Sequence, residues 1–396
     1  MAQPLVRGSR AASGLGRCVA CAAICLASGA CDEAPPATTS AESSASPGTR
    51  IETLLAPPAA DEFAFALTPR AFEFPRDHGP HPEFRHEWWY LTGHLDSAGG
   101  ERFGFELTFF RYALGARPEA APDSSAWRAR QVYVAHFAIT DVPQGAFHYA
   151  ERREREALQL AGTQAAPLRV WLRDWSLESD GSQWRLSAGD AAYALRLALT
   201  PAMTPVLNGE AGLSRKSADR GAASYYYSIP LLEARGELVR GTQRLEVRGT
   251  AWLDREWGSG ALARDQEGWD WFALQLEDGS ALMFYALRRR GGARDPFSAG
   301  TWVDAGGATQ TLASAEVEIE VLDRWESPRG GTYPSRWRLR VPRLELDLQL
   351  VPVLADQELG TTPYYWEGAA DVNGERAQQP INGRGYVELT GYAQSR

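Results

Sequence analysis

Strict period-two alternation of apolar and charged side chains is the feature that most restricts how this chain can fold. It is clearest in the segment 335–351, where arginines alternate with apolar residues: Arg336, Trp337, Arg338, Leu339, Arg340 and Val341. Because successive side chains of a β-strand point to opposite faces, such a strand has one apolar and one charged face. The pattern is typical of an antiparallel sheet that is dry on one side.

Strand-like segments recur along the chain beyond residue 60. They are rich in β-branched and aromatic residues, and Gly, Asp, Asn and Pro separate them, as in ERFGFELTFFRYAL (101–114) and RQVYVAHFAITDV (130–142). Helical periodicity is confined to short pieces such as residues 149–160, for which a strand is an alternative. Many short strands joined by hairpins predict an all-β fold built as a closed barrel or a sandwich.

Two domains are expected because 396 residues exceed the roughly 250–300 that a single core usually serves. A weak sequence similarity between two segments of the chain supports two copies of one barrel. Residues 86–111 and 254–289 share a Glu-Trp pair, an aromatic strand, an Asp/Gly turn and a second aromatic strand that ends in arginine. We therefore predict one barrel over residues 61–220 and a second over 221–396.

The charge balance argues against a nucleic-acid partner. The formal net charge is −9, the pI is near 5.4, and no run rich in Lys and Arg is present to hold a phosphate backbone. Arginine supplies nearly all the positive charge, and Lys216 is the only lysine in the chain.

The first 31 residues have the composition of a secretory signal. They contain all four cysteines, several early arginines and an apolar stretch that is too short to span a bilayer. Small residues precede Cys31, as in a bacterial lipoprotein signal, so Cys31 is a candidate lipidation site. Cleavage without lipidation is the alternative. Residues 32–60, rich in Pro, Ala and Ser, would form a tether. The expected location is the periplasm or cell envelope, with membrane contact only through the lipid anchor.

Common catalytic motifs are incomplete, and we predict neither a metal nor a cofactor. His86 and Glu87 begin a zincin-like motif, but Tyr90 occupies the position of its second histidine. His78 and His81 could still meet His136 in space, with ordinary buried histidines as the alternative. No serine stands in a nucleophile elbow or an S-x-x-K arrangement, and no phosphate-binding or dinucleotide loop is present.

Aromatic residues interleaved with carboxylates are the remaining candidate for chemistry, as in SYYYS (224–228), WLDREW (252–257) and GWDWF (268–272). A carboxyl surrounded by indole rings loses hydration, which raises its pKa and lets it donate a proton near neutrality. Aromatic faces stabilise a developing carbocation. Together these groups could protonate an alkene and let water capture the cation. The alternative is that the aromatics fill barrels and the carboxylates bond to turns.

Strand periodicity decides which of these side chains share a face. On an extended strand Trp252, Asp254 and Glu256 share one face, opposite Ala251, while Asp270 lies opposite its two neighbouring tryptophans. Regular alternation would place Asp254 on the polar side of its strand, unless a bulge at Gly249 switches the faces. The sequence alone does not determine which face of this strand contacts a ligand.

Six segments carry a resemblance to a known family: DHGPHPEFRHEWWYLTGHL, GLSRK, ASYYYS, WLDREWGSGAL, GWDWFALQL and GRGYVELTGY. From about residue 60 to its end, the chain resembles the secreted lipocalin-like proteins related to carotenoid 1,2-hydratase, also called hydroxyneurosporene synthase. The resemblance implies two lipocalin-like antiparallel β-barrel domains in tandem. It also implies addition of water to a C=C bond of a hydrophobic isoprenoid or lipid, without a cofactor. Because related folds act on other apolar substrates, isomerisation stays open.

The resemblance also implies site residues. In the hydratases an aspartate two residues after an aromatic is implicated as the acid, which matches Asp254 after Trp252. Glu256 or Asp270 would then orient water or accept a proton. The residues expected to bind the substrate are aromatic: Trp88, Tyr90, Tyr225, Tyr226, Tyr227, Trp252, Trp257, Trp269 and Trp271. The alternative function is a non-catalytic lipid carrier of the cell envelope.

Overall fold

The computed structural model describes residues 63–115, 130–260 and 262–393. The predicted signal segment with Cys31, and the predicted tether, lie outside these ranges. Three short 3-10 helices occur in the described part: Arg76–His78, Ser314–Glu316 and Pro342–Leu344. No helix in these ranges combines the length and apolar character that a membrane crossing requires.

Thirteen strands of the described residues form the first sheet: β1 (His86–Ser97), β2 (Arg102–Ala113), β3 (Gln131–Asp141), β4 (Ala146–Arg155), β5 (Ala161–Ala165), β6 (Leu168–Leu172), β7 (Trp175–Ser179), β8 (Trp184–Gly189), β9 (Tyr193–Pro201), β10 (Val206–Leu207), β11 (Leu213–Arg215), β12 (Ala223–Arg240) and β13 (Gln243–Gly260). Their order is β4-β3-β2-β1-β13-β12-β9-β8-β7-β6-β5, and β10 and β11 also pair with β12. Near one edge β3 and β4 approach β6, which belongs to the opposite edge, so the sheet curls into a nearly closed barrel.

The second sheet has ten strands in the described part of the chain: β14 (Gln266–Leu276), β15 (Ala281–Arg289), β16 (Ala299–Val303), β17 (Thr309–Ala313), β18 (Glu318–Glu326), β19 (Thr332–Val341), β20 (Leu346–Pro352), β21 (Glu358–Leu359), β22 (Tyr365–Arg376) and β23 (Gln379–Thr390). Their order is β17-β16-β15-β14-β23-β22-β20-β19-β18, with β21 beside β22. The central strands of both sheets pair antiparallel.

These two curled antiparallel sheets confirm the predicted all-β fold of two lipocalin-like barrels. The segment 149–160, for which a helix was one possibility, contributes its first part to strand β4. The chain passes from the first sheet to the second between Gly260 and Gln266. The predicted division near residue 220 does not coincide with this change, because β12 and β13 follow it and lie at the centre of the first sheet. The two sheets belong to one compact unit.

Each sheet encloses its own apolar core. In the first, the core side chains include Trp89, Leu91 and Leu253. In the second, the alternation seen in the sequence places Trp337 and Leu339 inside. The arginines that alternate with them lie outside the core and form ion pairs with carboxylates of the neighbouring strands. The one-sided burial that period-two alternation predicts is therefore confirmed for this strand.

A third apolar cluster lies between the two sheets. It combines side chains of the first sheet with side chains of the second: Tyr90, Tyr226, Trp252, Trp271, Met283, Tyr285 and Tyr386. The central strands of both sheets therefore bury both of their faces, one in their own barrel and one against the other sheet. This arrangement explains why these strands read as almost continuous aromatic and apolar runs.

The face on which Asp254 lies follows from this packing. Along β13 the alternation is regular, with Ala251 and Leu253 in the core of the first barrel and Trp252 in the cluster between the sheets. The pairing of β1 with β13 runs without a register shift through Gly249. Asp254 and Glu256 therefore face the second sheet, and no bulge is needed to bury them.

A fully buried ion network closes one end of the first barrel. Glu87 on β1 is 0% exposed and accepts hydrogen bonds from the guanidinium groups of Arg111 on β2 and Arg255 on β13. Arg111 also donates to the main-chain oxygen of His81 at 3.0 Å. Burial alone would raise the pKa of Glu87, but the two arginines hold this pKa well below its ordinary value. The network ties the loop around His81 to three strands.

We expect replacement of Arg111 by Met to destabilise the protein by roughly 3–5 kcal/mol, because it leaves a buried carboxylate short of a partner. The free energy of unfolding in urea measures the effect. The matched control is Arg340→Met, which removes an exposed ion pair with Glu318 and should cost less than about 1 kcal/mol. Equal losses in both variants would contradict a structural role for the network.

Candidate active site between the two sheets

A cavity lies between the two sheets, with about 850 Å³ of empty space that includes space open to solvent. Both sheets contribute to its walls, which are mostly aromatic and apolar with a few ionisable groups. The lining residues are Trp88, Tyr90, Phe110, Tyr112, Lys216, Tyr226, Asp254, Glu256, Leu262, Trp269, Trp271, Tyr285, Leu287, Pro363, Tyr365 and Glu388. The lining is that of a site for a small hydrophobic molecule.

Most of the predicted site residues meet in this cavity. Seven of them line it: Trp88, Tyr90, Tyr226, Asp254, Glu256, Trp269 and Trp271. An eighth, Trp252, lies beneath the lining and donates its indole N–H to Asp254 Oδ1 at 2.6 Å.

Three predicted aromatic residues point elsewhere, because they alternate with residues that face the cavity. Tyr225 and Tyr227 flank Tyr226 on β12 and belong to the core of the first barrel. The hydroxyl of Tyr227 lies 2.6 Å from His78 Nδ1. Trp257 follows Glu256 on β13 and also points inward. The structure therefore does not bring these three predicted residues to this cavity.

Asp270 also lies on the wrong face, because it stands between two tryptophans that line the cavity. Its carboxylate forms an ion pair with Arg288 Nε at 2.9 Å and accepts the hydroxyl of Tyr392 at 3.0 Å. Burial raises the pKa of Asp270, and Arg288 counteracts part of that rise. The geometry makes it a structural carboxylate with no access to a ligand in the cavity.

Asp254 is 4% exposed and accepts three hydrogen bonds. Its Oδ1 accepts from Ser228 at 2.5 Å and from the indole of Trp252, and its Oδ2 accepts from the hydroxyl of Tyr226. Burial raises the pKa of Asp254 to about 7 despite these three donors, and the negative charge of Glu256 acts in the same direction. The carboxyl can therefore exist in either protonation state near neutrality.

The neighbours of Asp254 fix where its proton sits. Asn208 donates to the hydroxyl oxygen of Ser228 at 2.9 Å, so the Ser228 proton is directed to Oδ1. An indole N–H can only donate, so Oδ1 receives two donors and has no room for a proton. The acidic proton consequently belongs on Oδ2, next to the Tyr226 hydroxyl. Trp271 donates its indole N–H to that hydroxyl at 3.1 Å.

Lys216 and Glu256 form a buried ion pair in the same wall. Lys216 Nζ lies 3.4 Å from a carboxylate oxygen of Glu256, which also accepts the hydroxyl of Ser224. The ammonium group lies 3.9 Å from the ring centroid of Tyr285. Burial acts to lower the pKa of Lys216, but Glu256, Tyr285 and Asp254 together outweigh burial, and the pKa rises. The lysine is therefore a fixed cation at the cavity wall.

Two glutamates belong to the opposite side of the cavity, where the half-buried Glu388 lines it and the fully buried Glu367 does not. Glu388 on β23 stands directly across from Glu367 on β22. Burial raises the pKa of Glu388 to about 8 and raises the pKa of Glu367 well above its ordinary value. Glu367 accepts the hydroxyl of Tyr90 at 2.7 Å, which connects this pair to the first sheet.

The histidines that could have met around a metal lie apart. His78 bonds to Tyr227 within the first barrel, whereas His136 Nδ1 lies 2.7 Å from the hydroxyl of Tyr365. His81 contacts Asp77, with its Nε2 3.2 Å from a carboxylate oxygen. Within the described ranges, no group of three or more His, Cys, Asp or Glu residues is arranged to hold a metal ion.

Several residues of the cavity were not predicted from the sequence. Lys216, Ser228, Tyr285 and Glu388 come from four different strands or loops. Lys216 had one signal, because it is the only lysine in the chain. For Glu388 the signal was alternation with Tyr386 in the C-terminal motif, which places both on one face of β23.

Comparisons with known proteins agree with the fold. Residues 66–392 match the family model described as AttH-like. The chain is 37% identical to a Nitrosomonas europaea protein described as AttH, whose crystal structure superposes with a TM-score of 0.74 over 84% of this chain and 100% of that chain. Kievitone hydratase from Nectria haematococca shares the fold, with 17% identity and a TM-score of 0.63 over 85% of this chain and 98% of the hydratase.

A match to a curated protein covers a shorter region. The dehydratase asqC of Emericella nidulans is 24% identical over 197 residues, which are 47% of this chain and 54% of the dehydratase. The chain therefore spans about half the length of this curated relative.

The unusual pKa of Asp254 predicts how its replacement changes stability with pH. Because this pKa is raised above the unfolded value of 3.8 to about 7, the folded protein holds a proton that the unfolded chain has lost. Stability of the wild type should therefore fall as pH rises from about 4 to about 7. We expect Asp254→Asn to gain roughly 2 kcal/mol relative to the wild type between pH 5 and pH 8. Urea unfolding at each pH measures this gain, and a pH-independent difference would contradict the shifted pKa.

Proposed function

We propose, from the premise that the chain belongs to the AttH-like family, that it is a hydratase-like enzyme. It would add water to a carbon–carbon double bond of a hydrophobic substrate, or remove water in the reverse direction, in the cavity between its two sheets. The observation that carries the proposal is Asp254, a carboxyl buried in an aromatic-lined cavity with a pKa near neutrality. The names of the hydratase and the dehydratase related to this chain are consistent with it.

Asp254 would supply the first step. Its Oδ2 proton is transferred to one alkene carbon, and positive charge develops on the other. The rings of Trp271, Tyr226 and Trp88 line the cavity around this carboxyl and would stabilise that charge through their π-faces. Water then bonds to the cationic carbon and loses a proton to a carboxylate of the cavity wall. General acid catalysis of this kind contributes about 10²–10⁴-fold to a rate.

The ion pair of Lys216 and Glu256 would hold a water molecule on the wall that carries Asp254, apart from the water that attacks the substrate. Glu256 lies two residues from Asp254 on the same face of β13, and its carboxylate oxygen bonded to Ser224 is held in place. A fixed carboxylate of this kind accepts a hydrogen bond from a water molecule at a defined position. All proton transfers use side chains of the chain itself, so the proposed reaction requires no cofactor.

The walls indicate the class of substrate. Aromatic and aliphatic side chains make up most of the lining, which suits an isoprenoid or another apolar molecule. The second candidate function is a lipid carrier of the cell envelope, which the same apolar lining favours. A carrier would release its ligand chemically unchanged, whereas a hydratase would change the mass of the ligand by one water.

Activity of Asp254→Asn tests the proposal. Purified protein is incubated with farnesol or an acyclic carotenoid in ¹⁸O-labelled water, and mass spectrometry measures the labelled alcohol. We expect a loss of at least about 100-fold in turnover with ligand affinity, read from tryptophan fluorescence, within a few-fold. The control is Asp270→Asn, whose carboxyl faces away from the cavity and whose activity per folded molecule should persist. Full activity of Asp254→Asn would refute the assignment.

We further propose that the protein is exported and anchored through an acylated Cys31. Growth of an expressing bacterium with labelled palmitate should label the wild type, and Cys31→Ser should abolish the label and release the protein from the membrane fraction. Persistence of the label in this variant would contradict lipidation at Cys31.

A further inference from the structure

We infer that Glu388 is the acid–base partner of Asp254 on the opposite wall of the cavity. In hydration Glu388 would take the proton that the attacking water loses, and in dehydration it would return that proton. This inference rests on the function proposed above and adds a second catalytic residue to it.

The placement of Glu388 is the first argument. Glu388 and Asp254 line the same cavity but belong to different sheets, so a substrate between the sheets has one carboxyl on each side. On β23, Glu388 lies directly across from Trp271 of β14. A carbocation that forms beside that indole would therefore have Glu388 on one side and Asp254 on the other.

The surroundings of Glu388 suit a group that exchanges a proton. Two carboxyl groups directly opposite each other on paired strands repel when both are ionised. Neither Glu388 nor Glu367 forms an ion pair with a described arginine or lysine. Unlike Glu87, which two arginines keep ionised, this pair has no cation to hold it in the charged form. A proton is consequently retained there close to neutral pH.

The two catalytic carboxyls are also coupled to each other. The negative charge of Asp254 raises the pKa of Glu388, and linkage requires the converse effect. Over an interval of pH the two groups therefore hold one proton between them. The pair is ready for hydration when Asp254 carries that proton and for dehydration when Glu388 carries it, and the higher pKa of Glu388 favours the second arrangement. The other ionisable groups around Glu388 are Glu106, Glu256, Glu367, Tyr90 and Tyr365, with Lys216 in the same cavity.

Atoms balance in the resulting cycle. The O–H bond of Asp254 breaks as a C–H bond forms, and the oxygen of water bonds to the second carbon. One O–H bond of that water then breaks, and its proton moves to the Glu388 carboxylate. The sum is alkene plus water giving alcohol. A proton returns from Glu388 to Asp254 before the next cycle, so no other reactant is consumed.

Glu256 is less suited to this role, for two reasons. Its Oε1 already contacts Lys216 and accepts the hydroxyl proton of Ser224, so this oxygen is occupied. It also shares a face of one strand with Asp254, so both groups approach the substrate from the same side. Glu388 alone among the cavity carboxylates comes from the second sheet.

Glu388→Gln tests the inference, with Glu375→Gln as the control on the same sheet, where the side chain is exposed on β22. With farnesol or an acyclic carotenoid as the probe, the wild type should show a bell-shaped pH profile. We expect Glu388→Gln to lower turnover by at least about 100-fold. The acidic limb of the pH profile of this variant should disappear because it lacks the Glu388 carboxyl whose deprotonation produces that limb. The alkaline limb should move to lower pH. Glu388→Asp should retain both limbs at reduced turnover.

A measurement without substrate accompanies the kinetics. Infrared difference spectra record the carbonyl stretch of protonated carboxyl groups as the pH is raised. In the wild type, two carboxyl groups should titrate near neutrality. Glu388→Gln should lose one of these signals and shift the other to lower pH, while Glu375→Gln should change neither. This readout also reports whether the variant keeps its fold.

The outcomes separate the two proposals. Wild-type turnover and an unchanged pH profile in Glu388→Gln, together with an inactive Asp254→Asn, would overturn the inference about Glu388 alone. Activity in both variants would overturn the proposed function itself. An unchanged infrared titration in Glu388→Gln would also exclude Glu388 as the second proton-exchanging group, whichever substrate is used.

Discussion

Packing of the two sheets against each other through the outer faces of their central strands is the constraint on which the rest of the structure depends. A single antiparallel barrel keeps its outer face in water, so carboxylates there remain hydrated and ionised. Here Tyr90 and Trp252 on one sheet pack with Trp271 and Tyr285 on the other, and the outer faces become dry. Asp254 loses its hydration without pointing into either barrel. The contact between the two sheets therefore forms the cavity and also raises the pKa of Asp254.

The two barrels contribute different chemistry to one compartment. The two similar segments of the sequence contain the hairpins β1–β2 and β14–β15, which both supply aromatic walls to the cavity. The Glu-Trp pair of the second segment, however, lies on β13 of the first sheet. The first sheet adds Asp254, Glu256 and Tyr226, while the second adds Glu388. Neither sheet alone encloses the cavity. The two barrels together thus form a site that neither contains alone.

Local pattern determined what could be predicted from the sequence. Period-two alternation gave the all-β fold and placed Trp252, Asp254 and Glu256 on one face of a strand, and the structure agrees. The same rule excludes Tyr225 and Asp270 once Tyr226 and Trp271 are known to face the cavity. Alternation says which residues share a face but not what that face contacts. The pairing of β13 with β1 and the contact between sheets join distant parts of the chain, so no local pattern reveals them.

The sequence alone does not distinguish one carboxylate within an aromatic segment from another. The groups that each carboxylate contacts in the structure show whether its role is structural or whether it can exchange a proton. Glu87 is followed in the sequence by two tryptophans, but the guanidinium groups of Arg111 and Arg255 donate hydrogen bonds to its carboxylate. Glu87 therefore stays ionised and has a structural role. Asp254 receives only neutral donors, and Glu388 faces another carboxyl. Both therefore keep a proton that can leave near neutral pH. Retaining such groups costs folding stability. A chain that needed only a lipid-binding cavity would gain stability by replacing them with neutral side chains, so their burial without cations favours proton transfer over simple binding.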